Sequence, residues 1–188
     1  KELEKILGKP LIADKNIIKK AKNMHIHDDQ NTAILKYNLN FLIDYDELDC
    51  VTSKLISNYI DSEKSFCKNF FLTMNDILEI KNLGHIISWH TNYHIPMSKL
   101  NEKEINEDLN LGNDFLNDLY KINNNHHICY PYGRLDALPL NYLDQISKKF
   151  KYGWTLDSLN SIAIEKQYKN LVLQRITNNE LFANMDDL

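Results

Sequence analysis

The chain is short of the residues that mark linkers, disulfide scaffolds and nucleic-acid binders. Only 5 glycines and 4 prolines are spread over 188 residues, which leaves little for long flexible linkers. Its 3 cysteines, Cys50, Cys67 and Cys129, are odd in number and share no metal-ligand spacing. They describe neither a disulfide framework nor a thiolate zinc site, and they read as reduced thiols. An excess of positive charge is missing too. The net charge is -4 and no basic stripe is visible, which excludes binding to nucleic acid by phosphate neutralisation. No apolar run approaches the ~20 residues that cross a bilayer, and no secretory signal is visible. The odd cysteine count and the lack of a signal favour the cytoplasm. A chain that begins at Lys1 rather than Met is also compatible with the cell envelope after removal of a leader.

What is present suits a folded domain with a real core. Hydrophobic residues make up 43% and charged residues 26%, ordinary values for a globular protein. The expectation is a single domain over 1–188 with a helical segment over 1–23. "MHIHDD" reads as a short strand ending in two acids, "NTAILKYN" as a brief helix and "LNFLIDY" as a strand. "VTSKLISNYI" carries helical spacing. In "LTMNDILEIKNLG", Thr73 is a candidate N-cap with Asp76 three residues on, and Gly84 is the stop. "HIISW" then reads as a strand that leads straight into His90. The spacing predicts a helix from Asn101, its buried stripe formed by Ile105, Leu109, Phe115, Leu119 and Ile122. "HHICYPYG" is a strand ending at Pro131, "PLNYLDQISKKF" a helix with Pro139 near its first turn, and "YGWTL" and "LVLQRI" are late strands. Alternation of this kind favours an α/β fold, a mostly parallel sheet or barrel covered by helices.

In such folds, sites gather at the C-terminal ends of strands. Asp28/Asp29, His90/His94 and Tyr132/Gly133 all follow predicted strands. A pair of histidines four apart is by itself structural more often than not, so the conjunction matters. A catalytic metal commonly takes two or three nitrogen or carboxylate ligands and keeps one position for water, whose pKa it lowers. His90, His94 and one aspartate would make such a set, and a second carboxylate would serve as general base. The adjacent pair Asp28-Asp29 offers both. Pro131 stiffens the third cluster, Gly133 lets backbone approach a ligand, and an N–H there could stabilise an oxyanion. Together the parts suggest metal-assisted hydrolysis of an acyl group.

"LTMNDILEIKNLGHIISWHTNYH" resembles the polysaccharide deacetylases, the NodB-like carbohydrate esterases of family 4. Gly84-His85, His90-Thr91-Asn92-Tyr93-His94 and the Tyr-Pro-Tyr-Gly of "HHICYPYGRLD" carry the likeness. "YGWTLD" followed by "LVLQRI" is similar to the late strands of the poly-N-acetylglucosamine deacetylase branch. The resemblance spans about residues 38–176 and implies a distorted (β/α) barrel with fewer than eight strands. It implies removal of acetyl from N- or O-acetylated sugars or polysaccharides. His90, His94 and Asp29 would hold a divalent metal, zinc first, with cobalt, nickel or manganese compatible. Asp28 would be the general base towards metal-bound water. The Tyr132 backbone N–H would hold the oxyanion, with Pro131, Tyr132, Gly133 and Trp154 lining the sugar site. Thr91 would support the histidine loop, and Arg175 would steady the base carboxylate.

The chain departs from the family pattern in several places. Gln30 stands where the first motif usually has glycine after its two aspartates, and Asp14 in "LIADKN" is a rival for that motif. His27 becomes a ligand if the register differs. Ile86 stands where glutamate is usual, and Trp89 where a small residue is usual. The last histidine is His127, so the family's late histidine acid is missing. That loss, typically worth ~10²–10⁴ in rate, would weaken amide cleavage more than ester cleavage. It also admits an alternative: a degenerate member that binds glycan or a partner without turnover.

Overall fold

The computed structural model describes residues 2–122, 126–157 and 163–175. Contacts divide the chain into two compact units, Lys1–Thr73 and Met74–Leu188.

The described part of the first unit is helical. After α1 (Glu2–Leu7), α2 (Lys15–Met24) starts at Asp14, whose Oδ1 accepts from the N–H of Asn16 at 2.8 Å and of Ile17 at 2.9 Å. Asp29 starts α3 (Gln30–Tyr37) in the same way. Ala21 and Ala33 are fully buried, and their small side chains let α2 and α3 approach over Ile34 and Tyr37. Next come α4 (Tyr45–Ser57) and α5 (Glu63–Phe70).

Two expected strands are not formed here. "MHIHDD" is the end of α2, its C-cap His25 and a turn. The alternation of Met24, Ile26 and Asp28 is no strand signal, because Asp29 is needed as a helix cap. "LNFLIDY" is a π-helical turn, Asn38–Leu42, because Asn38 is buried and its carboxamide is fully used. Its Oδ1 accepts from Ile12 N–H at 2.8 Å, and its Nδ2 donates to Ile12 O and Ile34 O at 2.9 Å.

The second unit opens with α6 (Met74–Asn82), which follows Thr73 and stops at Gly84 with φ 92°. The N–H of Gly84 returns to Lys81 O at 3.0 Å. The expected strand over 85–89 shrinks to one parallel bridge, Trp89 with Ile128. In α7 (Glu102–Tyr120), Asn101 and Glu104 form a capping box. Ile105, Leu109, Leu116 and Leu119 fill the core, whereas Phe115 is half-buried and Ile122, past the helix end, is 47% exposed. β1 (His126–Cys129) precedes α8 (Leu143–Ser147), which Leu140–Tyr142 enters as a 3₁₀ turn after Pro139. β2 (Phe150–Thr155) and β3 (Leu173–Gln174) complete a parallel sheet in the order β1-β2-β3. The parallel alternation agrees with the sequence. A full barrel is not shown: the described residues form three strands and the Trp89 bridge. Ile176, the last residue of "LVLQRI", lies outside the described residues.

Asn38→Ala strips the three hydrogen bonds of a buried carboxamide. The expected loss is about 1–3 kcal/mol of stability, read as a lower urea midpoint. An unchanged midpoint would mean that these bonds contribute nothing net.

Candidate functional site

Because the sheet is parallel, the C-terminal ends of its strands share one edge. His90 follows the bridge residue Trp89, Tyr130 to Gly133 follow β1, Leu156 and Asp157 follow β2, and Arg175 follows β3. Backbone bonds tie these exits together. Tyr130 N–H donates to Trp154 O at 3.1 Å, and Arg175 N–H to Thr155 O at 2.9 Å. Gly133 O accepts from the N–H of Leu156 at 2.7 Å and of Asp157 at 3.1 Å. A Cβ on Gly133 would lie 2.6 Å from Leu156 N, so glycine is required for this approach to the backbone after β2.

The imidazoles of His90 and His94 stand edge to face, their ring centroids 4.8 Å apart, and Tyr132 lies 5.0 Å from His94. Both histidines are exposed. His90 Nδ1 sits 2.6 Å from Cys129 O. A carbonyl can only accept, so the proton belongs on Nδ1, and in the neutral ring Nε2 keeps the lone pair. The same Cys129 receives a hydrogen bond at its Sγ from Arg175 Nη1 at 2.9 Å. The Cys129 side chain raises the His90 pKa, outweighing burial. Burial pushes the thiol up, but His90 and Arg175 outweigh it and hold its pKa below the ordinary thiol value. Burial lowers the His94 pKa, and His90 adds to the effect, so His94 stays neutral more readily. Burial also pushes the Tyr132 phenol up to about 12.

The loop is strained where the chemistry gathers. Thr91, His94 and Tyr132 have φ of 63°, 53° and 62°, left-handed values that cost ~1–3 kcal/mol each for non-glycine residues. Thr91 Oγ1 accepts from His94 N–H at 3.1 Å and so links the two histidines. Trp154, opposite Cys129 in the β1–β2 register, donates from Nε1 to His127 Nδ1 at 3.1 Å and stacks on that ring.

Asp28 and Asp29 belong to the first unit. Asp28 Oδ2 accepts from Lys36 Nζ at 2.7 Å. Asp29 uses both oxygens at the start of α3. Oδ1 takes the N–H of Asn31 at 2.9 Å and of Thr32 at 3.1 Å, and Oδ2 takes the Thr32 hydroxyl at 2.6 Å. These bonds, the Thr32 side chain first, hold its pKa below the usual carboxylate value. Asp14, the rival, caps α2. Among the described residues, no three His, Cys, Asp or Glu side chains gather as a metal set. The His90/His94 pair nevertheless has fitting donor chemistry: two exposed imidazoles, one with its Nδ1 anchored as metal-ligating histidines usually are.

Two contributors were not picked out from the sequence: Cys129, which anchors His90, and Asp108 of α7, whose carboxylate accepts from Trp89 Nε1 and Asn92 N–H on either side of His90. Asp108 did carry a signal. It falls on the buried stripe of Ile105, Leu109 and Leu116, where a carboxylate needs a reason.

A family model described as polysaccharide deacetylase matches residues 28–150, a span that begins before α3 and ends at the first residue of β2. No curated protein and no solved structure matches the chain.

The opposed shifts of the two histidines are open to NMR titration of the metal-free chain. His90 should titrate above the ordinary value of about 6.5 and His94 below it. In the Cys129→Ala variant His90 should fall towards that value. A raised folded-state pKa means that the His90 contribution is fully present below its unfolded pKa and fades as pH rises through the folded one. Coincident midpoints for the two rings would refute the arrangement.

Proposed function

The chain belongs to the polysaccharide deacetylase family, and we propose that it hydrolyses acetyl groups from an N- or O-acetylated sugar or polysaccharide with a bound divalent metal, zinc by preference. The observation that carries this reading is the pair of exposed imidazoles, 4.8 Å apart, in a strained loop at the C-terminal edge of a parallel sheet. His90 and His94 would hold the metal, with Asp29 as the third ligand that the family resemblance implies. When bound, such an ion supplies Lewis acidity for the acetyl carbonyl and lowers the pKa of water.

The remaining work falls to side chains and backbone of this chain. Asp28 takes the proton of the attacking water. The Tyr132 N–H donates to the oxygen that gains charge as the carbonyl becomes tetrahedral. Arg175 steadies the base carboxylate. That role is the one the family resemblance implies; within its own unit Arg175 donates from Nη1 to Cys129 Sγ. Pro131 and Gly133 hold the Tyr132 turn, and the half-buried Trp154 ring offers a stacking surface for a sugar. The leaving group is protonated by Asp28 once it has accepted a proton, or by water. This arrangement favours ester over amide cleavage. Within the family we propose that the chain is nearest the poly-N-acetylglucosamine deacetylase branch, on the strength of residues 152–157 and 171–176.

A second reading is a glycan-binding member without turnover. The capping bonds that occupy both Asp29 oxygens favour it.

Elemental analysis and acetate release from acetylated sugars, assayed across zinc, cobalt, nickel and manganese, separate the two. The deacetylase reading expects about one metal per chain and acetate release that Asp28→Asn lowers by ~10²-fold or more. Metal-free, inactive wild-type protein would remove it. Turnover abolished by Asp28→Asn would remove the binding-only reading.

A further inference from the structure

We propose that Asp108 and Gly112 of α7 are positioning residues for His90 and His94, acting through Trp89; the inference rests on the metal reading above. Asp108 is only 8% exposed, and its two oxygens serve one chain segment. Oδ1 accepts from Trp89 Nε1 at 2.7 Å, and Oδ2 accepts from Asn92 N–H at 2.8 Å. These donors bracket His90, one on the residue before it and one two residues after. A buried carboxylate is costly unless hydrogen-bonded, and here each oxygen takes its own donor, whereas an Asn in the same pose would turn its NH₂ towards one of them.

Gly112 is the second half of the socket. Glycine is unfavourable inside a helix, yet at this point in α7 a Cβ would come within 2.5 Å of Trp89 Cγ. The indole therefore lies flush against the helix backbone, with Phe115 tilted against it at 6.2 Å between ring centroids. Gly112 is what makes room for the Trp89 ring. On its other side the Trp89 peptide is bonded into the sheet. Its N–H donates to His127 O at 3.0 Å, and its O accepts from Cys129 N–H at 2.8 Å. The ring is fixed by α7 and the main chain by β1, so the next residue, His90, leaves a rigid point.

The test uses the full chain and Zn²⁺ alone as probe. Asp108→Asn presents an NH₂ to one of the two donors and should weaken Zn²⁺ binding by up to ~10-fold, less than the ~10- to 100-fold that follows loss of a hydrogen-bond partner of the ligand itself. Trp89→Phe keeps a ring and loses one bond, and should move affinity in the same direction. Ile105→Val, a core change in the same helix, should lower the thermal midpoint and leave Zn²⁺ affinity unchanged. In the metal-free chain, Asp108→Asn should speed amide exchange at Asn92 and shift the His90 and His94 ring resonances, and Ile105→Val should do neither. Wild-type affinity, exchange and ring shifts in Asp108→Asn, or equal losses in Ile105→Val, would overturn the proposal. Should Asp108→Asn not fold, Trp89→Phe decides by the same readouts. Should the wild-type chain bind no Zn²⁺, the metal reading fails, and exchange and ring shifts alone decide the positioning role.

Discussion

Two backbone hydrogen bonds, Trp89 N–H to His127 O and Cys129 N–H to Trp89 O, join the histidine segment to the sheet. One residue of parallel pairing is a small contact, but the site's order depends on it. It sets the register that places His90 beside Cys129, and so lets Nδ1 find the Cys129 carbonyl. It also turns the Trp89 side chain towards α7, because successive side chains in extended backbone alternate in face. The adjacent His90 is thereby directed away from the core and into solvent. The left-handed residues Thr91 and His94 follow at once, and a strained loop of this kind persists only where its surroundings over-determine it.

Part of the fold was legible because its signals are local and mutually consistent. Asn101 caps α7 and Gly84 follows α6 as their local signals require, whereas the apolar stripe of α7 was read past its end, to the exposed Ile122. The parallel sheet was legible from the alternation of elements. What failed were short segments whose apolar pattern is compatible with more than one structure. Residues 24–29 alternate as a strand would, but the Asp29 side chain is more useful to the bare N–H groups of α3. Residues 38–42 look like a strand until the reach of Asn38 across to Ile12 is known, a contact over 26 positions that no local pattern encodes.

The site divides in the same way. The histidine pair was legible from spacing and from its place after an apolar run, and the Tyr-Pro-Tyr-Gly turn from its composition. The Cys129 contribution was not legible, because its carbonyl and its sulfur act on residues far along the chain, His90 and Arg175. Gly133 was read as room for a ligand; its Cα faces the backbone of Leu156, a reason that only the β1–β2 neighbourhood reveals. Asp28 and Asp29 were singled out for their chemistry, and each also has a structural task, an ion pair with Lys36 and a helix cap. A carboxylate with a cap to maintain is a costlier metal ligand than a free one, so the Asp29 assignment rests on the family pattern rather than on local geometry.

We propose that His90 and His94 bind a metal as nitrogen ligands while Cys129, whose carbonyl faces His90 and whose sulfur accepts from Arg175, stays outside the coordination shell. X-ray absorption at the zinc edge of the loaded chain tests it most directly. Imidazole nitrogens and oxygens at about 2.0–2.2 Å are the expected shell. A sulfur shell at about 2.3 Å, or a spectrum without imidazole scattering, would contradict it.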